Sequence, residues 1–229
     1  WSSLVGSEMC IRDSTIPKEQ HEFFGIRAGL GQVINKLSAH ELQEEGVLAE
    51  CNIDIVQMQD TVDFPNYQSE LTYLVTDQKR LNYISGLIDA MSQNGNTLVL
   101  VDRIKCGEKL QELLPNATFV KGAMKSADRK DTYTEINEST NMVVIATYGV
   151  AAVGINIPRI FNLVLIEPGK SFVRVIQSIG RGIRKAKDKD HIQIWDITSS
   201  CKFSKRHLTQ RKKFYREAHY PFSVQKVDY

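Results

Sequence analysis

Five short apolar runs between residues 96 and 197 restrict the fold more than any other feature of this chain. They are NTLVLVD (96–102), ATFVKG (117–122), NMVVIAT (141–147), FNLVLIEP (161–168) and HIQIWDI (191–197). All five are expected to be strands, and 96–102 and 141–147 fit strands buried on both faces. Between them lie stretches with helical periodicity, KCGEKLQELL (105–114), SADRKDTYTEINE (126–138, with a Ser cap) and SFVRVIQSIGRGIRK (171–185). A Gly-containing turn and a short helix follow residue 147. Strand–helix alternation with short connections requires parallel pairing through right-handed crossovers. The expected fold is therefore α/β, a doubly wound, mainly parallel sheet. Ligands of such sheets bind beyond the carboxyl ends of the strands. That singles out Asp102-Arg103, Lys121-Gly122, Thr147 and the residues from Pro168 onward.

Upstream, AECNIDIVQMQ (49–59) alternates apolar residues at Ile53, Ile55 and Met58 and is expected to be a strand. Residues 67–95 are helical in period. Thr76 or Asp77 is placed to cap a second helix there, with Leu81, Ile84, Leu87, Ile88 and Met91 on its inner face, and Asn94-Gly95 ends it. Ser38-Ala39-His40-Glu41 has capping-box spacing for a short helix closed by Gly46. The segment 204–220 is expected to be a basic amphipathic C-terminal helix.

The net charge of +2 conceals an asymmetry. From residue 170 onward there are 15 Lys and Arg against 5 Asp and Glu, a balance of +10, and residues 1–169 hold 14 against 22, a balance of −8. A basic C-terminal quarter suits a polyanionic partner, and equally suits a solvated basic helix. No apolar run approaches the roughly 20 residues that span a bilayer. Cys10, Cys51, Cys106 and Cys201 show no CxxC spacing, which suits a reducing interior and a cytoplasmic location. In that setting the sequons at Asn116 and Asn137 are incidental.

Two phosphate-like signals fall close together. Gly169-Lys170-Ser171 matches the end of a P-loop, but that loop needs a first glycine five positions earlier. Val164 stands there, inside the preceding strand. Pro168-Gly169 is better explained as a strand end, with Ser171 capping the next helix. In QSIGRGIR (177–184), helical spacing puts Gln177, Gly180, Arg181 and Arg184 on one face. Gly180 leaves room for close approach, and two guanidiniums on one face can clamp a triphosphate.

QSIGRGIRK resembles motif VI of the superfamily 2 helicases, of the form QxxGRxxR. VVIATYGVAAVGINIP (143–158) resembles motif V, TLVLVDRIKCGEKL (97–110) motif IV, and FVKGAMKSADRKDTYTEI (119–136) the motif between them. ELQEEGVLAE (41–50) is similar to the segment leading into the second lobe of phage recombination-repair and branch-migration helicases, and STIPK (14–18) to the end of motif III. The resemblance covers most of residues 15–200 and implies the RecA-like C-terminal domain of a DNA helicase. It implies that Arg181 and Arg184 are catalytic arginine fingers on the γ-phosphate of ATP and that Gln177 supports them. It places Gly154 and Asn156 at the nucleotide ribose, Asn156 standing where many relatives carry Asp. It implies backbone contacts to nucleic acid from Arg103, Lys121, Gly122 and Thr147, which position a strand without reading sequence.

The sequence holds no GxxxxGK followed by Ser or Thr and no DExH/DEAD carboxylates; HEFFG (21–25) and AHEL (39–42) do not fit. In the family those groups sit on the first RecA-like lobe and hold most of the ATP and Mg2+. The chain is therefore expected to be the second lobe without its motor partner, inactive as an ATPase by itself. WSSLVGSEMCIRDS (1–14) resembles a translated sequencing adaptor and is expected to be non-native. The expected organisation is 15–48 as first-lobe remnant and linker, 49–200 as the lobe, and 201–229 as a basic helical extension. Two other readings stay open: a non-catalytic nucleic-acid-binding module, and a lobe of a double-strand DNA translocase. The basic C-terminal helix is either a DNA-binding extension or a terminal helix docked by Leu208, Phe214 and Tyr215.

Overall fold

The five apolar runs lie side by side in a single parallel sheet, from one edge inward. Strands β1 (Glu50–Met58), β2 (Thr97–Val101), β3 (Ala117–Val120), β4 (Val143–Thr147), β5 (Asn162–Ile166), β6 (His191–Ser199) and β7 (Phe222–Val227) pair in the order β3-β4-β2-β5-β6-β1-β7. Every pairing is parallel. A computed structural model describes residues 48–122, 124, 126–154, 157, 159–171, 180 and 188–229, with positions 24, 28, 41, 43 and 45 near the amino terminus. The backbone divides into two units, Trp1–Ser38 and Ala39–Tyr229, and the sheet belongs to the second. The capping box at Ser38 and the helix stop at Gly46 lie outside the described residues.

Central strands β2 and β5 are buried at every position, as continuous apolar runs demand when helices cover both faces. Six helices are described: α1 (Tyr67–Thr76), α2 (Gln78–Ser92), α3 (Ile104–Leu113), α4 (Ser126–Glu138), α5 (Tyr148–Gly154) and α6 (Lys202–Glu217). One face packs against α2 and α3 through Val56, Val99, Ile145, Ile84, Ile88 and Leu110. The other packs against α5 and α6 through Ile53, Ile55, Leu100, Ala151, Leu208 and Tyr215.

The expected break in the 67–95 helix occurs at Asp77. Its φ of −63° and ψ of 124° end α1, and its carboxylate accepts from Arg80 N at 2.9 Å to start α2. Leu81, Ile84, Ile88 and Met91 are buried on the inner face, whereas Leu87 is half-buried at its margin. Met58 does not continue the Ile53–Ile55 face. It lies on the opposite side with Val56, because β1 is covered on both faces at its carboxyl end. Gly95 turns the chain into β2 with φ 126°, and a Cβ there would sit 2.8 Å from the Phe161 side chain.

The carboxyl-terminal region differs from expectation in two respects. Helix α6 ends at Glu217, and His219, with φ 56°, reverses the chain. Residues 222–227 then form β7, a strand the sequence reading did not anticipate. It pairs with β1 at the outer edge of the sheet, where its exposed middle residues weaken the apolar signal. Leu208 and Tyr215 dock α6 on the core, while Phe214 is half-buried.

Candidate nucleic-acid and nucleotide interface

In a fully parallel sheet all carboxyl ends share one edge. Neighbouring strands lie about 4.8 Å apart, so β3, β4 and β2 bring their end residues within roughly 10 Å of one another. Lys121-Gly122 follows β3, Thr147 ends β4 and Asp102-Arg103 follows β2. Three segments distant in sequence thus form one row. Thr147 is half-buried, and its Oγ1 accepts from Val150 N at 3.3 Å, so it also starts α5. Gly122 is exposed, and a Cβ there would lie 3.8 Å from Val150 Cγ2, which brings the β3 loop against the β4 loop.

The two cations of this row are surface groups with exchangeable partners. Arg103 donates from Nη2 to Gln68 Oε1 at 3.1 Å, and its Nε lies 3.4 Å from Asp102 Oδ2. Lys121 donates to Glu108 Oε1 at 2.8 Å. Exposed pairs of this kind are worth about 0–1 kcal/mol, so a phosphate oxygen can replace either carboxylate at small cost.

Gly154 closes α5 as the seventh and last residue of that helix. Asn156, Gln177, Arg181 and Arg184 lie outside the described residues. Gly180 is helical and exposed, and a Cβ there would meet nothing within 4 Å among the described residues. The turn before this segment is well defined. Glu167 (φ 44°) and Gly169 (φ 72°) end β5 as a strand terminus, so Gly169-Lys170-Ser171 follows a tight turn and does not form an open phosphate loop.

That turn is held by a buried charge cluster the sequence reading missed. Arg80 donates from Nη1 to Asp60 Oδ2 at 2.8 Å and from Nη2 to Glu167 Oε1 at 2.7 Å. Arg211 pairs with both Asp196 oxygens at 2.8 and 2.9 Å and donates from Nη1 to Gly169 O at 2.8 Å. Tyr215 OH donates to Asp196 Oδ2 at 2.8 Å. Glu70, also buried, accepts from Phe203 N, Ser204 N and Ser204 Oγ, and so caps α6 from a neighbouring helix. Burial pushes the Glu167 carboxyl up to about 7, against the opposing pull of Arg80 and Arg211. Burial works against the Arg211 charge, and Asp196 outweighs it, leaving the guanidinium pKa raised. One signal was available in sequence. Arg211 stands three residues after Leu208 and four before Tyr215, on the apolar stripe of α6.

Among the described residues no group of three or more His, Cys, Asp or Glu could hold a metal ion. The buried carboxylates are committed to guanidiniums, hydroxyls and backbone N–H groups, so this donor set does not fit Mg2+. No helix among the described residues is long and apolar enough to cross a membrane.

Residues 79–186 match the helicase conserved C-terminal domain. The chain is similar to the ATP-dependent DNA helicase uvsW of Enterobacteria phage T4, with 24% identity over 80% of this chain. It spans 39% of that relative's length. The crystal structure of T4 UvsW superposes with a TM-score of 0.68 at 20% identity, over 79% of this chain and 42% of that one. The C-terminal domain of the DEAD-box protein Dbp5 superposes with a TM-score of 0.50 at 16% identity, over 80% of this chain and 92% of that domain. The ATP-dependent Type ISP restriction-modification enzyme LlaBIII, bound to DNA, gives 0.59 at 13% identity, over 88% of this chain and 17% of that one. The parallel sheet, the match over residues 79–186 and the superpositions agree: the chain has the RecA-like fold of helicase C-terminal lobes.

Proposed function

We propose that this chain acts as the second lobe of an ATP-dependent superfamily 2 DNA helicase that unwinds or branch-migrates DNA. The observation that carries the reading is the row Lys121-Gly122, Thr147, Arg103 on three adjacent strand ends, inside the segment 79–186 that matches the helicase domain. Such a row presents two exposed cations, a hydroxyl and an uncovered backbone to one face. It can grip successive phosphates of a strand without reading its bases.

On the nucleotide side, the resemblance assigns Arg181 and Arg184 to the γ-phosphate. Two guanidiniums there stabilise the charge that builds on the transferring phosphoryl group, an effect worth 10³–10⁵ in turnover in comparable enzymes. Gln177 orients them, and Gly154 with Asn156 lies toward the ribose. Bound ATP supplies the free energy for closing and reopening the cleft between lobes. The P-loop Lys and paired carboxylates of the first lobe are not among these 229 residues. The proposed organisation has residues 15–48 leading in from the first lobe and the second lobe from residue 49 onward, with α6 and β7 built into the same sheet and core.

The test uses the full reading frame joined to its upstream lobe. Arg181→Ala and Arg184→Ala should each lower the ATPase kcat by at least 10³-fold with little change in KM for ATP, and should abolish strand displacement. The 229-residue chain alone should show no turnover. ATPase activity of the isolated chain that is lost on Arg181→Ala would overturn the reading. Robust ATPase with duplex translocation but no strand displacement would identify a translocase.

A further inference from the structure

Helix α6 divides its charges between two faces with different roles. Leu208, Arg211, Tyr215 and Ser204 face inward and are buried. Lys202, Lys205, Arg206, Lys213 and Arg216 project from the opposite side and are exposed, with Lys212 half-buried at the margin. On this outer face stands one carboxylate, Glu217, 3.8 Å from Lys213. Among the described residues no carboxylate lies within ion-pair distance of Lys205, Arg206 or Lys212. Lys205 and Arg206 line two adjoining grooves. The first, of about 450 Å³, is shared with Lys202, Thr61 and Asp63. The second, of about 350 Å³, is shared with Thr209 and Lys212.

We infer that this outer face of α6 is a second binding surface for the phosphate backbone of duplex DNA, separate from the row at Arg103, Lys121 and Thr147. The inference rests on the nucleic-acid partner proposed above and adds a site to it. Three features choose the ligand. The face is purely electrostatic, because the apolar stripe is already spent on the core, which disfavours a lipid surface that needs inserted apolar side chains. It carries no exposed aromatic ring, as Phe203 and Phe214 are half-buried and Tyr215 is buried. Single strands are gripped by stacking on such rings. The helix is also rigidly presented. Glu70 fixes its first turn, the Arg211–Asp196 pair fixes its middle, and Arg216 lies over the Phe222 ring at 5.4 Å. From Lys202 to Arg216 it runs about 21 Å, a straight row of charge suited to a stiff duplex.

The surface is also distinct in position. Helix α6 covers the part of the sheet around β6 and β1, while the first row lies on β3, β4 and β2, with β5 between the two groups. A duplex touching both would cross the sheet's carboxyl edge. Of the nearby carboxylates, Glu70 and Asp196 are satisfied inside the core and Asp60, which lines the first groove, is taken by Arg80 and Ser199, so the exposed Asp63 alone opposes Lys202, Lys205 and Arg206 there.

The test is equilibrium binding of the intact chain to a fluorescein-labelled 25-bp DNA duplex across a salt series, without ATP. Lys205→Gln with Arg206→Gln should make the slope of log K against log salt shallower by about 1.8, and should weaken binding about 60-fold at 0.1 M salt. Lys79→Gln with Lys105→Gln removes the same charge from helices on the other face of the sheet and should do much less. Circular dichroism and the urea midpoint verify folding. If Lys205→Gln with Arg206→Gln unfolds the chain, Lys205→Gln with Lys212→Gln replaces it. Equal losses in the α6 and control variants overturn the inference, as does an unchanged slope. So does a loss confined to a single-stranded 25-mer or to vesicles of anionic phospholipid. The ATPase test of Arg181→Ala involves none of these residues, so the two readings can fail separately.

Discussion

Replacing Arg211 by Met tests whether the buried charge cluster holds the fold together. Arg211 and Asp196 are both fully buried, and Arg211 makes three hydrogen bonds, two to Asp196 and one to Gly169 O. The Met side chain fills most of the volume but donates nothing. Asp196 Oδ2 keeps Tyr215 OH, whereas Oδ1 loses its Arg211 donor and the carboxylate remains buried without a counter-charge. Removing one member of a buried ion pair costs about 3–5 kcal/mol. For a chain of this size each kcal/mol lowers Tm by about 2–4 °C, so a fall of roughly 6–20 °C is expected. Adding Asp196→Leu should recover part of the loss, because no unpaired charge then remains. Tyr215 OH and Gly169 O still lack partners, at about 1–3 kcal/mol each, so the recovery stays incomplete. Urea unfolding, followed by Trp195 fluorescence in a Trp1→Phe background, measures all three variants. A loss below about 1 kcal/mol for Arg211→Met would refute the reasoning, as would a double variant whose losses simply add.

Three further outcomes follow from the same core. Glu167, raised by burial from 4.5 to about 7, takes up its proton more readily folded than unfolded. Its contribution is full below pH 4.5 and fades as pH rises to about 7, so Glu167→Gln should flatten the urea midpoint over that range. Lys189 is buried and lowered by burial from 10.5 to about 7. The unfolded chain therefore binds the extra proton between those values, stability should fall as pH drops from 10.5 to 7, and Lys189→Met should raise the midpoint at neutral pH and remove that slope. Gly95→Ala should lower stability by about 1–3 kcal/mol in thermal unfolding, because an L residue resists φ 126° and its Cβ would meet Phe161 at 2.8 Å.

Much of the fold was legible in the sequence because period and length are local properties. TLVLV and VVIAT read as strands buried on both faces and NLVLI as a strand, and each is one. Asp77 reads as a helix cap because a short carboxylate bonds its own backbone three residues on. Carboxyl-end residues could be named in advance, since parallel strands place all those ends together whatever the strand order. Strand β7 was not legible. Its pattern of Phe222, Val224 and Val227 is short and mostly solvent-facing, and only pairing with β1 makes it a strand.

The sequence by itself determined the α/β class, the parallel sheet and Arg103, Lys121, Gly122 and Thr147 as strand-end residues, because each follows from spacing along the chain, whereas the neighbouring of β3, β4 and β2 that sets them in one row came from the assembled sheet. Only the tertiary structure decided which charges of the basic C-terminal region face water. Arg211 and Lys212 are adjacent in sequence and alike in charge, yet one is buried against Asp196 and the other borders the solvent face. A helix turns about 100° per residue, so neighbours point to different surroundings. Whether a cation meets a buried carboxylate or water depends on residues far away in the chain. Asp60, Glu70 and Glu167 reach the cluster only once β1, α1 and β5 have assembled.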